Sequence, residues 1–295
     1  MTHPRPRYAG LWLPFVTPFK DDRLDEASLR RLARAYVGKV DGFVLCATTG
    51  EGMALSADEA QRVVRTVAEE IAAAGAGTLI MLGLHGVSTS AVARALGAIE
   101  SWRADAVLVS CPHYVRPSQQ GLRLHFEALA DSTGADLLVY NIPYRTGVNL
   151  QNDTLLRLAE RPNLRGVKDC CADFAQSRDL IGCKPPGFAV LAGDDARFGV
   201  ALGDGADGGV LASAHIDPQG FRGLLDLDRS AIDQAWTRLS QIPELLFSEP
   251  NPAPLKHCLW RRGLIDSPEV RLPMTPVSPA LAQRLDSALA MSWGS

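Results

Sequence analysis

Apolar runs of four to eight residues recur along the first three quarters of the chain, too short for independent helices and too continuous for strands with one wet face. They fall at 10–17 (GLWLPFVT), 42–48 (GFVLCAT), 78–84 (TLIMLGL), 106–111 (AVLVSC), 136–142 (DLLVYNI), 164–169 (LRGVKD), 188–193 (FAVLAG) and 207–212 (DGGVLA). Strands buried on both faces read this way. Between them the apolar positions take a helical spacing, over 26–39, 57–74, 88–101, 118–131, 152–160, 174–182 and 195–203. Ser56, with Glu59 three residues on, marks a capping box at the start of the second of these. Buried strands alternating with helices predict a parallel sheet covered by helices.

Eight such repeats over roughly 220 residues fit a closed barrel better than an open doubly wound sheet of about six strands. From about 225 the pattern is wholly helical (229–246, 254–262, 279–291), with the proline-rich link EVRLPMTPVSP before the last helix. The expected architecture is α/β, a TIM (β/α)8 barrel over 1–224 with a C-terminal helical extension over 225–295.

Composition narrows the partners. The chain has 295 residues, 46% of them apolar, and a net charge of −3. No basic stripe marks a nucleic-acid or membrane surface, so the partner is expected to be a small molecule. No run approaches the ~20 apolar residues of a membrane span, and the prolines of MTHPRPRYAG interrupt any secretory h-region, which predicts a cytoplasmic protein. Six cysteines without a CxxC pair and six histidines without an HExxH pattern point to neither a disulfide framework nor a metal site. GDGADG, 203–208, matches GxGxxG but leads into a strand, so it lacks the helix N-terminus that holds a pyrophosphate.

In such a barrel the chemistry gathers where the strands end and the following loops converge. Lys168, one of five lysines against twenty-five arginines, closes the run LRGVKD. A lysine there either snorkels to water and pairs with a neighbour such as Asp169, or loses hydration, falls in pKa and becomes a nucleophile toward a ketone. Tyr140 at the adjacent strand end is a candidate proton shuttle, or a barrel tyrosine with any partner. Thr48, Thr49 and Gly50 form a turn whose hydroxyls and amides suit a carboxylate. Arg145 in PYRTG is a candidate bidentate carboxylate binder, or a surface charge.

Together these residues resemble the pyruvate-dependent class I aldolases of the dihydrodipicolinate synthase and N-acetylneuraminate lyase family. TTGEG at 48–52, YNIPYRTG at 140–147 and GVKD at 166–169 carry the likeness, which extends from FVTPF at 15–19 through AGDDA at 192–196 to EPNPAPLK and RLPMTP. The resemblance implies that Lys168 forms a covalent imine with pyruvate, with no separate cofactor. It implies that Tyr140 shuttles protons through Thr48, with Tyr114 completing the relay in a neighbouring subunit of a homotetramer, a dimer of dimers. Thr49, Gly50, Gly193 and Leu211 would bind substrate, and Arg145 would hold the carboxylate of L-aspartate-4-semialdehyde. Three features depart from the family: His113 before Tyr114, Cys111, and DCCAD after the lysine. They leave open a relative acting on a sugar acid or another 2-oxo acid. Gly52, Met53, Ala57, Ala60 and His113 lack most groups of the lysine-feedback site, so inhibition by lysine is expected to be weak or absent.

Overall fold

The computed structural model describes residues 5–291. Eight parallel strands close into a barrel: β1 (Gly10–Pro14), β2 (Gly42–Leu45), β3 (Leu79–Leu84), β4 (Ala106–Ser110), β5 (Leu137–Asn141), β6 (Leu164–Asp169), β7 (Ala189–Ala192) and β8 (Gly208–Val210), each bonded to the next and β8 back to β1. The helices between them are α1 (Glu26–Tyr36), α2 (Ala57–Ala73), α3 (Thr89–Ile99), α4 (Gln119–Asp131), α5 (Asn152–Leu158), α6 (Phe174–Cys183) and α7 (Phe198–Gly203). Ser56 and Glu59 bond each other's backbone N–H at 3.2 and 2.9 Å, the capping box anticipated from sequence.

The period-two alternation of each strand sorts its side chains into two cores. Trp12, Val44, Met81, Leu108, Leu138, Leu191 and Val210 fill the barrel. Their neighbours Leu11, Phe43, Ile80, Val107, Val139, Val167 and Val190 face the helices. At the bottom the barrel is sealed: the Tyr8 hydroxyl bonds Asp136 at 2.7 Å, and the Trp12 indole donates to the Tyr8 carbonyl at 2.9 Å. The opposite end stays polar.

Several expected elements end early. The run 42–48 stops pairing at Leu45, because Cys46 turns with φ +55°; Thr48 and Thr49 therefore sit on a turn beyond the strand. The run 207–212 stops at Val210, where the chain coils into a 3₁₀ turn, Ala212–His215. A short helix α8 (Pro218–Gly223) and a small hairpin pairing Phe19–Lys20 with Arg23–Leu24 carried too little periodicity to be anticipated. The expected helix 229–246 divides into α9 (Arg229–Leu239) and α10 (Gln241–Leu246). Pro243 has no N–H to give the Leu239 carbonyl, and the break falls between them.

Two further helices, α11 (Ala253–Arg261) and α12 (Pro279–Met291), complete the chain. Leu246, Leu255, Leu259, Leu281 and Leu285 belong to the same buried cluster as Leu29, Phe43 and Val64, so the helices after residue 225 pack into the barrel's outer core. Among the described residues no helix is long and apolar enough to cross a membrane.

Candidate active site

Lys168 and Tyr140 stand directly opposite each other on β6 and β5. Val167 belongs to the outer core, so alternation turns Lys168 inward, where it is 5% exposed. Its ammonium nitrogen lies 4.3 Å from the centre of the Tyr140 ring. Asp169, the alternative partner for this lysine, is engaged elsewhere: it accepts from the Ser177 hydroxyl at 2.6 Å, from Asn141 at 3.2 Å and from the Cys171 amide at 3.1 Å. Burial lowers the Lys168 pKa, helped by Arg145 and opposed by Cys170 and Asp195. The neutral amine is thereby favoured.

Tyr140 is pushed the other way. Burial raises its pKa well above the ordinary phenol value, and a hydrogen bond with Thr48 only partly offsets this. At neutral pH the group is a proton donor. Lys168, Tyr140 and Thr48 are thus brought together, and Tyr140, Thr48 and Arg145 line one cavity of about 270 Å³ with Ser110, His85 and His113. Arg145 also borders a wider cleft of about 820 Å³ that holds Cys170, Gly193, Asp195 and Asn251. It is exposed, with its Nε on the Tyr144 hydroxyl at 3.2 Å.

Gly193 explains how the lysine is accommodated. A Cβ at this position would lie 2.9 Å from Lys168 Cε and 2.4 Å from Cys170 Sγ, so only glycine leaves room for the buried side chain. Leu211 is 0% exposed and its side chain packs with Phe198 and Leu11. Its N–H donates to the Trp12 carbonyl at 2.9 Å.

The turn carrying Thr49 and Gly50 is held in a costly conformation. Cys46 and Glu51 both adopt left-handed φ, +55° and +50°, at about 1 kcal/mol or more each. A Cβ on Gly50 would meet the Phe15 carbonyl at 2.7 Å. The Thr17 hydroxyl fixes the Gly50 carbonyl at 2.7 Å, and the Asn251 amide donates to the Thr49 hydroxyl at 2.9 Å. Lys256, 0% exposed, bonds Glu51 at 2.5 Å.

Tyr114 is the one expected catalytic residue that the chain does not bring to the cluster. It is 90% exposed, with φ +70°, and its N–H bonds the Thr146 carbonyl at 3.2 Å. Sequence reasoning missed three neighbours, Cys170 and Asp195 buried and Asn251 half-buried. Cys170 stays a thiol, its pKa pushed up to about 12 by burial. Asp195 is raised to about 6, again chiefly by burial, and accepts from the Ser213 amide at 2.6 Å. Asn251 sits inside EPNP, a motif visible in the sequence without a role attached to it. Lys256, which follows NPAPL in the helical tail, is as buried as Lys168, and its ion pair with Glu51 is what separates the two.

Comparison with known proteins sets this arrangement in context. Residues 7–291 match the dihydrodipicolinate synthetase family. A 4-hydroxy-tetrahydrodipicolinate synthase 2 of Clostridium acetobutylicum is 39% identical over 95% of this chain and 99% of its own. The dihydrodipicolinate synthase of Acinetobacter baumannii, solved in complex with pyruvate, superposes with a TM-score of 0.90 at 33% identity, covering 96% of this chain and 98% of that one. The synthase of Thermotoga maritima superposes with a TM-score of 0.92 at 28% identity, over 98% and 99% of the two chains.

Proposed function

The chain belongs to the dihydrodipicolinate synthetase family, and from that premise we propose that it condenses pyruvate with L-aspartate-4-semialdehyde to 4-hydroxy-tetrahydrodipicolinate. The observation that carries this reading is the buried Lys168 amine 4.3 Å from the Tyr140 ring at the open end of the barrel.

The neutral Lys168 amine adds to the ketone carbon of pyruvate, and the resulting carbinolamine loses water to give an imine. Loss of a methyl proton converts the imine to an enamine, whose carbon attacks the aldehyde; the substrate's own amine then displaces the Lys168 amine from the regenerated imine, closing the ring and freeing the enzyme. Each step moves a proton at oxygen, nitrogen or carbon, the work assigned to Tyr140 with Thr48 behind it. Thr49 and the amides around Gly50 receive the pyruvate carboxylate. Arg145, reaching both cavities, receives the carboxylate of the aldehyde. Gly193 and Leu211 bound the substrate on the far side.

The exposed Tyr114, held in a left-handed conformation away from its own chain's cluster, is offered to a neighbouring subunit and completes that subunit's proton relay. The protein is accordingly a homotetramer, a dimer of dimers, acting in the cytoplasm. The pyruvate carbons need no cofactor beyond the lysine itself.

Steady-state turnover of pyruvate and L-aspartate-4-semialdehyde, coupled to dihydrodipicolinate reductase and followed by NADPH consumption, tests the reading. The expected kcat/KM is about 10⁴ M⁻¹s⁻¹ or above. Absence of turnover, from protein that still traps pyruvate on Lys168 with borohydride, would transfer the imine chemistry to a different aldehyde.

A further inference from the structure

The turn that carries Thr49 is fastened from the far end of the chain. Asn251 Nδ2 donates to Thr49 Oγ1 at 2.9 Å, across 202 positions of sequence. Lys256 Nζ donates to Glu51 Oε1 at 2.5 Å, and the Arg271 amide to Glu51 Oε2 at 2.9 Å. Thr49 is only 4% exposed, and Asn251 lies in the wall of the cleft that also holds Gly193 and Cys170.

A threonine hydroxyl has one proton to give and lone pairs with which to accept. The Asn251 amide occupies a lone pair, so the hydroxyl proton is left to point at another acceptor. We infer that Asn251 is a positioning residue that sets the direction of the Thr49 proton, so that Thr49 meets a ligand carboxylate as a donor. This rests on the assignment of Thr49 to the pyruvate carboxylate. In this arrangement the donor is oriented before the ligand arrives, and binding does not have to reorganise it. Asparagine is required over aspartate, since a carboxylate at 251 would accept the threonine proton itself and repel the incoming anion.

The test is the pyruvate concentration that gives half-maximal borohydride trapping on Lys168, mapped by peptide mass spectrometry on the full chain. Asn251→Ala should raise it about tenfold, the worth of one oriented hydrogen bond to a charged group. Asn251→Asp, the same size, should raise it more than about 100-fold at pH 8 and recover as the pH falls and the new carboxyl is protonated. In a Thr49→Val background Asn251→Ala should add nothing, because the two act on one hydrogen bond. Unchanged half-saturation in both Asn251 variants, or an Asn251→Asp defect that does not move with pH, would overturn the inference and leave the imine assignment standing. Failure of the unsubstituted protein to trap pyruvate on Lys168 would overturn both.

Discussion

At the Lys168 amine, burial and the charges of Cys170 and Asp195 pull in opposite directions, and burial wins. The Lys168 pKa is lowered mainly by desolvation, with Cys170 and Asp195 opposing. The neutral form therefore dominates above a pH lower than the ~10.4 of an ordinary lysine. The rate of pyruvate trapping should rise with pH and level off below that value; a profile still climbing at pH 10 would contradict the burial argument. Lys168→Arg should abolish trapping, since a guanidinium stays protonated. Tyr140→Phe should leave Lys168 able to be trapped, but more slowly, and should slow turnover about 100- to 10,000-fold. Gly193→Ala should damage the site without touching a polar group, because its methyl would have to share space with Lys168 Cε, 2.9 Å away. Lys168 was legible in the sequence because a charge ending an apolar run is rare. Cys170 and Asp195 were not, because nothing in DCCAD or AGDD says which side chains turn inward.

At the scale of single elements, the turn after β2 shows how a poor local conformation is maintained. Two non-glycine residues with positive φ persist because Thr17, Asn251, Lys256 and Arg271 each hold part of it. Lys256→Ala would leave Glu51 buried beside the Arg271 amide without its cation. A loss of about 3–5 kcal/mol in unfolding free energy is expected, measured by denaturant titration. A change below about 1 kcal/mol would show that water reaches the pair. The strands and helices themselves were readable from their periods, and the misreadings have identifiable causes. Apolar residues continue past Leu45 and Val210 while the backbone has already turned, and Pro243 interrupts a pattern that remains helical on paper. Hydrophobic spacing records which residues are inside, not where hydrogen bonding stops.

Taken as a whole, the molecule is sealed at one end by Tyr8 and Trp12 and polar at the other, and that asymmetry decides where ionisable groups can be buried. Asp195 is the clearest case. Its pKa rises from 3.8 in a free side chain to about 6 here. Between those values the folded chain binds more protons than the unfolded one, so stability falls as pH rises across that window, by about 3 kcal/mol in all. Asp195→Asn should consequently be more stable than the parent above pH 6, with the gap closing toward pH 4. Denaturant midpoints at pH 4, 6 and 8 would show it, and a gap that does not change with pH would refute it. Barrel topology was legible because eight buried runs leave few alternatives. The bonds from Asn251, Lys256 and Arg271 to residues 49–51 were not, since contacts across more than 200 positions leave no periodic trace.

Those same contacts bear on how the protein matures. A growing chain has every residue assigned to the imine chemistry once Leu211 has been made, and all eight strands are then present. The pieces that fix the turn at Thr49–Glu51 arrive only with Asn251, Lys256 and Arg271. Long-range closure of this kind comes late in folding. Synthesis thus passes through a stage in which the barrel sequence is complete and the turn at Thr49 is still unfastened, and that fastening comes only as the last sixth of the chain emerges.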